Sequence, residues 1–264
     1  MNMNKTTNDN RICKFCGQEK ELIGAHIIPR KFYLNYEKEH YQSIDPFEGK
    51  SKTQQAGATD KSILCHECDG DIIGEFDKEG YRVLLEEVPK HLAHHDIYQK
   101  IYYLRSADFD YGKLRKFFIS VLWRASISQL KEFQSINLGP YENKALEILK
   151  GEKEHKTLFK ILIFKDPPND DTNYMLTIIQ KKIGSYFIYN IVMAGYSILI
   201  FHNEKNIPIN LKNFYKDYFM AEDNLRVIED PIMADYKRKG FDKSMRKLYE
   251  LGFKPKPPQN YKIT

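Results

Sequence analysis

The chain has four cysteines, and they fall as two pairs, Cys13-Lys14-Phe15-Cys16 and Cys65-His66-Glu67-Cys68, with forty-eight residues between them. Each C-x-x-C pair can present two thiolates from one tight turn, and two such turns supply the four sulfurs of a tetrahedral structural zinc site. Gly17, directly after the first pair, suits such a turn. A lone C-x-x-C is also the pattern of a redox dithiol; two pairs with no further cysteine point to a metal. The opening residues MNMNKTTNDN are polar and lack an apolar stretch, so they read as a disordered start and not as a secretion signal. A disulfide framework is therefore not expected. The spacing fixes Cys13, Cys16, Cys65 and Cys68 as zinc ligands and makes the intervening loop longer than a compact zinc ribbon needs.

Between the pairs, "KELIGAHIIPR" reads as a short strand ending at Pro29. A polar loop, "DPFEGKSKTQQAGATDK", leads to "SILC", read as a second short strand. Beyond the second pair, Ile72, Ile73, Phe76, Val83 and Leu84 recur at helical spacing, although Gly70, Gly74 and Gly80 weaken the pattern. The expected unit is strand, loop, strand, helix, with zinc pinning its entry to the end of the second strand.

Together, "CKFC", "AHIIP" and "LCHECD" resemble the zinc-stapled HNH, or His-Me finger, endonucleases with their ββα-metal core. The likeness covers roughly residues 11 to 85. It implies that His26 is a general base and that Asp60, before the second pair, takes the family's middle position. It also implies that Asp69, just after Cys68, binds a catalytic metal from the helix. Asp77 lies a turn or two along the same helix and can reach the same ion. The common aspartate before the base is replaced by Ala25, and Asp60 and Asp69 stand where an amide or imidazole is usual. Proteins similar to this family cut DNA, and some serve bacterial defence or mobile elements.

The chemistry suits those residues. Phosphodiester hydrolysis needs an activated water and neutralised phosphoryl oxygens; a histidine titrating near neutrality serves the first need and a divalent ion the second. Carboxylates select hard ions, Mg²⁺ or Mn²⁺, whereas a four-thiolate zinc site has no open position. Arg30 and Lys31 follow the motif as candidate phosphate contacts. Other histidines read as bland: His66 as exposed, and His91 with His95 as an exposed helix pair lacking a zincin glutamate.

In the remainder, "FDYGKLRKFFISVLWRASISQLKEF" reads as a helix with a broad apolar face at Leu114, Phe117, Phe118, Val121, Leu122, Ile127 and Leu130. Trp123 reads as core and Arg124 as surface. A second helix opens at Pro140 and stops at Gly151. Four strand-like runs follow between Lys156 and Asn203. Ile183 to Phe201 approaches the length of a membrane span, but its polar interruptions and β-branched residues favour a hairpin turning at Ala194-Gly195. Net charge is +5, and nine basic against three acidic residues after position 234 leave the rest of the chain at −1. That basic tail suits a phosphate backbone.

The expected fold class is α+β: a zinc-stapled ββα-metal unit followed by an α+β region with helices and an antiparallel meander. The expected organisation is a disordered start (1–10), an HNH-like unit (11–104), an α+β region of unassigned role (105–234) and a basic tail (235–264). The functional expectation is a cytoplasmic, metal-dependent endonuclease carrying structural Zn²⁺ and catalytic Mg²⁺ or Mn²⁺. Its expected partners are nucleic acid, DNA before RNA, a protein through the C-terminal region, and no membrane. The alternative is a non-catalytic zinc module that binds nucleic acid or protein.

Overall fold

The computed structural model describes residues 11–34, 41–45, 50–54, 57–91, 94–95, 100–167, 177–183 and 186–229. The disordered start and the basic tail expected from the sequence lie outside them. Within them the chain is a mixed α+β fold around one dominant hydrophobic core, which runs from Cys13 and Phe15 through the helices to Leu225 and Val227.

The N-terminal part contains little regular structure. Strands β1 (Arg11–Ile12) and β2 (Glu19–Lys20) pair across the first cysteine turn, and β3 (Ala25–His26) pairs antiparallel with β6 (Thr59–Asp60). The turn α1 (Lys31–Leu34) follows β3. Two sequence expectations change here. "SILC" is not a strand; it touches its neighbours through single contacts, Lys14 N–H to the Ile63 carbonyl and Ile23 N–H to the Leu64 carbonyl. The expected loop supplies one strand of a hairpin, β5 (Lys50–Gln54), which pairs with β4 (Tyr41–Asp45) before it. Its polar composition hid it, because a hairpin's backbone bonds do not require an apolar face.

A helical run then extends from Cys68 to Lys90. It opens with a π turn (Cys68–Ile73), continues as α2 (Gly74–Tyr81), and widens again over Arg82–Glu87. Gly80 is required for packing: a Cβ there would lie 2.3 Å from the ring of Phe117 on the next helix. The glycine that weakened the helical pattern is what lets two helices approach.

That next helix, α3 (Tyr111–Ile127), starts where the Asp110 side chain accepts from Lys113 N–H at 2.9 Å. It stops before Leu130 because Gln129 N–H, which would continue the helix, donates to the Asp60 carboxylate instead. Glu79 joins the two helices, accepting from Arg82 and from Asp110 N–H at 2.7 Å. The short α4 (Glu142–Lys150) follows a turn containing Pro140 and ends at Gly151, as the sequence indicated.

Seven strands form the main sheet: β7 (His94–His95), β8 (Lys100–Arg105), β9 (Leu158–Lys165), β10 (Thr177–Ile183), β11 (Tyr186–Met193), β12 (Tyr196–Asn203) and β13 (Asn224–Glu229). Their order is β10-β11-β12-β9-β13-β8-β7. The hairpin expected between 183 and 201 is present: Ala194 (φ 48°) and Gly195 (φ 77°) form the two-residue turn between β11 and β12. The meander stops there. β9 pairs with β12, and β13 inserts parallel to β9. Strand β8, at the end of the span read as the N-terminal unit, pairs with β13 in this same sheet. Alternate residues feed two layers. Ile161 and Ile163 join the main core, while Leu162 and Phe164 pack with Phe201, Ile207 and Ile228 on the other face, beside α5 (Ile209–Tyr215). No helix among the described residues is long and apolar enough to cross a membrane.

Candidate functional site

Backbone bonds shape each cysteine turn. Cys13 N–H donates to the Gln18 carbonyl, Gly17 N–H to Cys13, and Asp69 N–H to Cys65. The four sulfurs lie within 4.8 Å of one another. A tetrahedron of zinc–sulfur bonds of about 2.3 Å needs sulfurs about 3.8 Å apart, so the cluster fits such an ion. Burial acts to raise the Cys13 thiol, yet backbone N–H groups of Cys16, Cys65 and Phe15 bring it down to about 7. Burial pushes the Cys65 and Cys68 thiols up. A lone thiolate of this set is costly, and a shared cation removes that cost. Around the cluster, Phe15 meets Trp123 of α3 edge-on at 6.0 Å, and Lys20 pairs with Glu67 at the surface.

His26 ends β3, partly exposed, three residues before the buried Ile28-Pro29 step is complete. Its carbonyl accepts from the Arg124 guanidinium at 2.8 Å. The same guanidinium grips both oxygens of Asp77, at 2.8 and 3.1 Å, and reaches back to Ser120. Arg124 is 1% exposed, so the reading of it as a surface arginine is corrected. Its place was visible in the sequence: it lies three residues after Val121 and seven after Phe117, on the apolar stripe. The pattern gives the face; it does not name the acid that meets the arginine there.

Asp77 is raised above the ordinary carboxylate range by burial, with Arg124 and His26 pulling it down and Asp69 pushing it further up. The Asp77 carboxyl thus feels the charges of both His26 and Asp69. Asp69 is raised by burial as well, against the opposing charges of Arg124 and His66. None of the hydrogen bonds or ion pairs among the described residues involves the Asp69 side chain. Among the described residues it is a partly desolvated carboxyl with no donor.

Asp60 is placed differently. It is 4% exposed, and its oxygens accept from Ser62 N–H and hydroxyl, the Ser128 hydroxyl and Gln129 N–H, at 2.5 to 2.8 Å. Burial acts to raise it, but these donors hold it below the usual carboxylate value. In the β3–β6 register Asp60 faces Ala25 while His26 faces Thr59, so strand alternation sends Asp60 and His26 to opposite sides. The described residues bring the four cysteines together as a metal-ligand group; Asp60, Asp69 and Asp77 do not converge in that way.

Arg30 is exposed, and Lys31 lies over the Tyr81 ring at 4.3 Å, both just beyond His26. His66 is exposed, as read from the sequence. The helical pairing of His91 with His95 is corrected. His91 follows the last helical turn, bonded to the Glu87 carbonyl at 2.9 Å and near Asp108, and His95 belongs to strand β7.

No family model, curated protein or solved structure matches this chain. Its function rests on the site alone.

Proposed function

We propose that the chain is a metal-dependent endonuclease of the HNH kind, hydrolysing phosphodiester bonds in nucleic acid, DNA before RNA. One observation supports this reading: Arg124 ties the His26 carbonyl, at the end of β3, to Asp77, on the helical run that Asp69 opens just after Cys68. In this reading the His26 imidazole accepts a proton from the attacking water. Asp69, which has no donor among the described residues, is the ligand for Mg²⁺ or Mn²⁺, whose bound form would neutralise the phosphoryl oxygens. The four cysteines hold a closed structural zinc. Arg30 and Lys31, four and five residues beyond His26, are the phosphate contacts in this reading. Asp60 positions β6 and touches no substrate.

The test is plasmid nicking by the zinc-loaded chain with Mg²⁺ or Mn²⁺, parent beside His26→Ala. Loss of about 10²- to 10⁴-fold in rate is expected for removal of a general base. Equal cutting by both proteins would end the role given to His26. A second reading, a core that binds nucleic acid without cutting it, draws on the occupied oxygens of Asp60 and Asp77. It expects salt-sensitive binding that survives His26→Ala and no metal-dependent cleavage by the parent.

A further inference from the structure

We infer that Arg124 is the positioning residue of the His26 site, and that Asp77 serves Arg124 and not the metal ion; this rests on the endonuclease reading. Arg124 belongs to α3, outside the motif region, ninety-eight residues from His26 in sequence. Its guanidinium is almost fully buried and joins three elements: the β3 backbone at His26, α2 at Asp77 and its own helix at Ser120.

A buried ion pair contributes little stability over well-packed apolar groups, so stability alone gives weak reason for placing one here. The geometry supplies a stronger reason. Two N–H groups of the planar fork take both Asp77 oxygens, which fixes the plane and leaves one N–H directed at the His26 carbonyl. The imidazole hangs from the Cα bonded to the carbonyl that this bond holds. An ion at Asp77 would have to displace the fork, whereas an ion at Asp69 would displace no protein donor among those described.

The second strand of the pair is held from the same place. Ser128 and Gln129, just past the end of α3, clasp Asp60 on β6. Both strands are thus referred to the C-terminal end of one helix, and Arg124 is the contact that touches the residue at the base position.

The experiment uses the full zinc-loaded chain and compares parent, His26→Ala, Arg124→Ala, Arg124→Lys, Asp77→Asn and Asp69→Asn. Nicking gives kcat and KM, thermal melting gives the fold, and Mn²⁺ titration gives ion binding. Arg124→Ala is expected to lose about 10²-fold in kcat with KM changed far less, as misplacement of a reacting group by about 1 Å does. Methylguanidinium added to Arg124→Ala is expected to restore much of kcat without moving the melting temperature, and to do nothing for His26→Ala. A merely structural arginine would change melting and activity together.

Arg124→Lys keeps the charge and loses the fork, so it stays folded with reduced kcat; if Arg124→Ala does not fold, this variant carries the test. Asp69→Asn is expected to lose Mn²⁺ binding, and Asp77→Asn to keep most of it. Folded Arg124→Lys or Arg124→Ala cutting at the parent rate, or absence of guanidinium rescue in a folded Arg124→Ala protein, overturns the assignment. Loss of Mn²⁺ binding in Asp77→Asn as complete as in Asp69→Asn overturns the role given to Asp77. A parent that neither cuts nucleic acid nor binds Mn²⁺ overturns the endonuclease reading itself, a result distinct from all of these.

Discussion

The two halves of this molecule are held in opposite ways. In the C-terminal half, strands of six to eight residues form the centre of a seven-stranded sheet, and alternate side chains bury apolar surface on both faces. In the N-terminal half, the strands that carry His26 and Asp60 are two residues long. A two-stranded pair of that length does not persist in water unaided. It is held by Ala25 and its buried neighbours Ile27, Ile28, Ile63 and Leu64 in the main core and by α3, through Arg124, Ser128 and Gln129. The sheet half makes its own rigidity, and the site half borrows it.

Metal removal is the sharpest way to break this contrast. Structural zinc contributes about 10–16 kcal/mol in small metal-dependent units. Chelation, or Cys65→Ser with Cys68→Ser, is expected to abolish amide hydrogen-exchange protection across residues 11–34 and 57–68 and to leave β9, β11 and β12 protected. Uniform loss, or protection unchanged everywhere, would mean that the halves are not held differently.

The joint between the halves comes next. Gly80→Ala places a methyl group against the Phe117 ring, where ring carbons lie 2.3 to 2.4 Å from the new atom. Overpacking of this kind costs about 1–3 kcal/mol. Denaturant unfolding is expected to show that loss, with weaker protection in α2 and α3 than in β11 and β12. A neutral Gly80→Ala would show that the helices can separate without cost.

The smallest effect concerns Asp60. Its folded-state pKa lies below the unfolded value, because Ser62, Ser128 and Gln129 donors outweigh burial. Such a group stabilises the fold above its unfolded pKa of about 3.9, and the contribution fades as pH falls from there through the lowered folded value. Asp60→Asn removes the charge and is expected to cost about 1.5 kcal/mol at neutral pH, the low end for one hydrogen bond to a charged group. The gap between parent and variant is expected to close below about pH 4. Melting curves at several pH values check this, and a gap that widens on acidification would contradict the sign.

Which parts were legible in the sequence follows from the same division. The metal tetrad could be read from spacing, because a C-x-x-C turn is a local object and two of them define a ligand count. The α3 stripe and the β11–β12 hairpin were legible for the same reason, since their signals lie within one element. The β4–β5 hairpin was missed because its signal is backbone pairing with no apolar face. The insertion of β13 between β8 and β9 was missed because nothing local in "NLRVIE" names its neighbours.

The site divides in the same manner. By itself the sequence determined the cysteine set, the place of His26 between its two pairs along the chain, and the apolar stripe of α3, while Arg124 was read as surface. Tertiary structure alone decided which acid each donor meets: Asp60 with Ser128, sixty-eight residues away, Asp77 with Arg124, forty-seven residues away, and Asp69 with neither. Side-chain period fixes the face toward which a residue turns. The partner it finds there depends on how other segments pack, and that is set by burial and hydrogen-bond satisfaction over the whole chain.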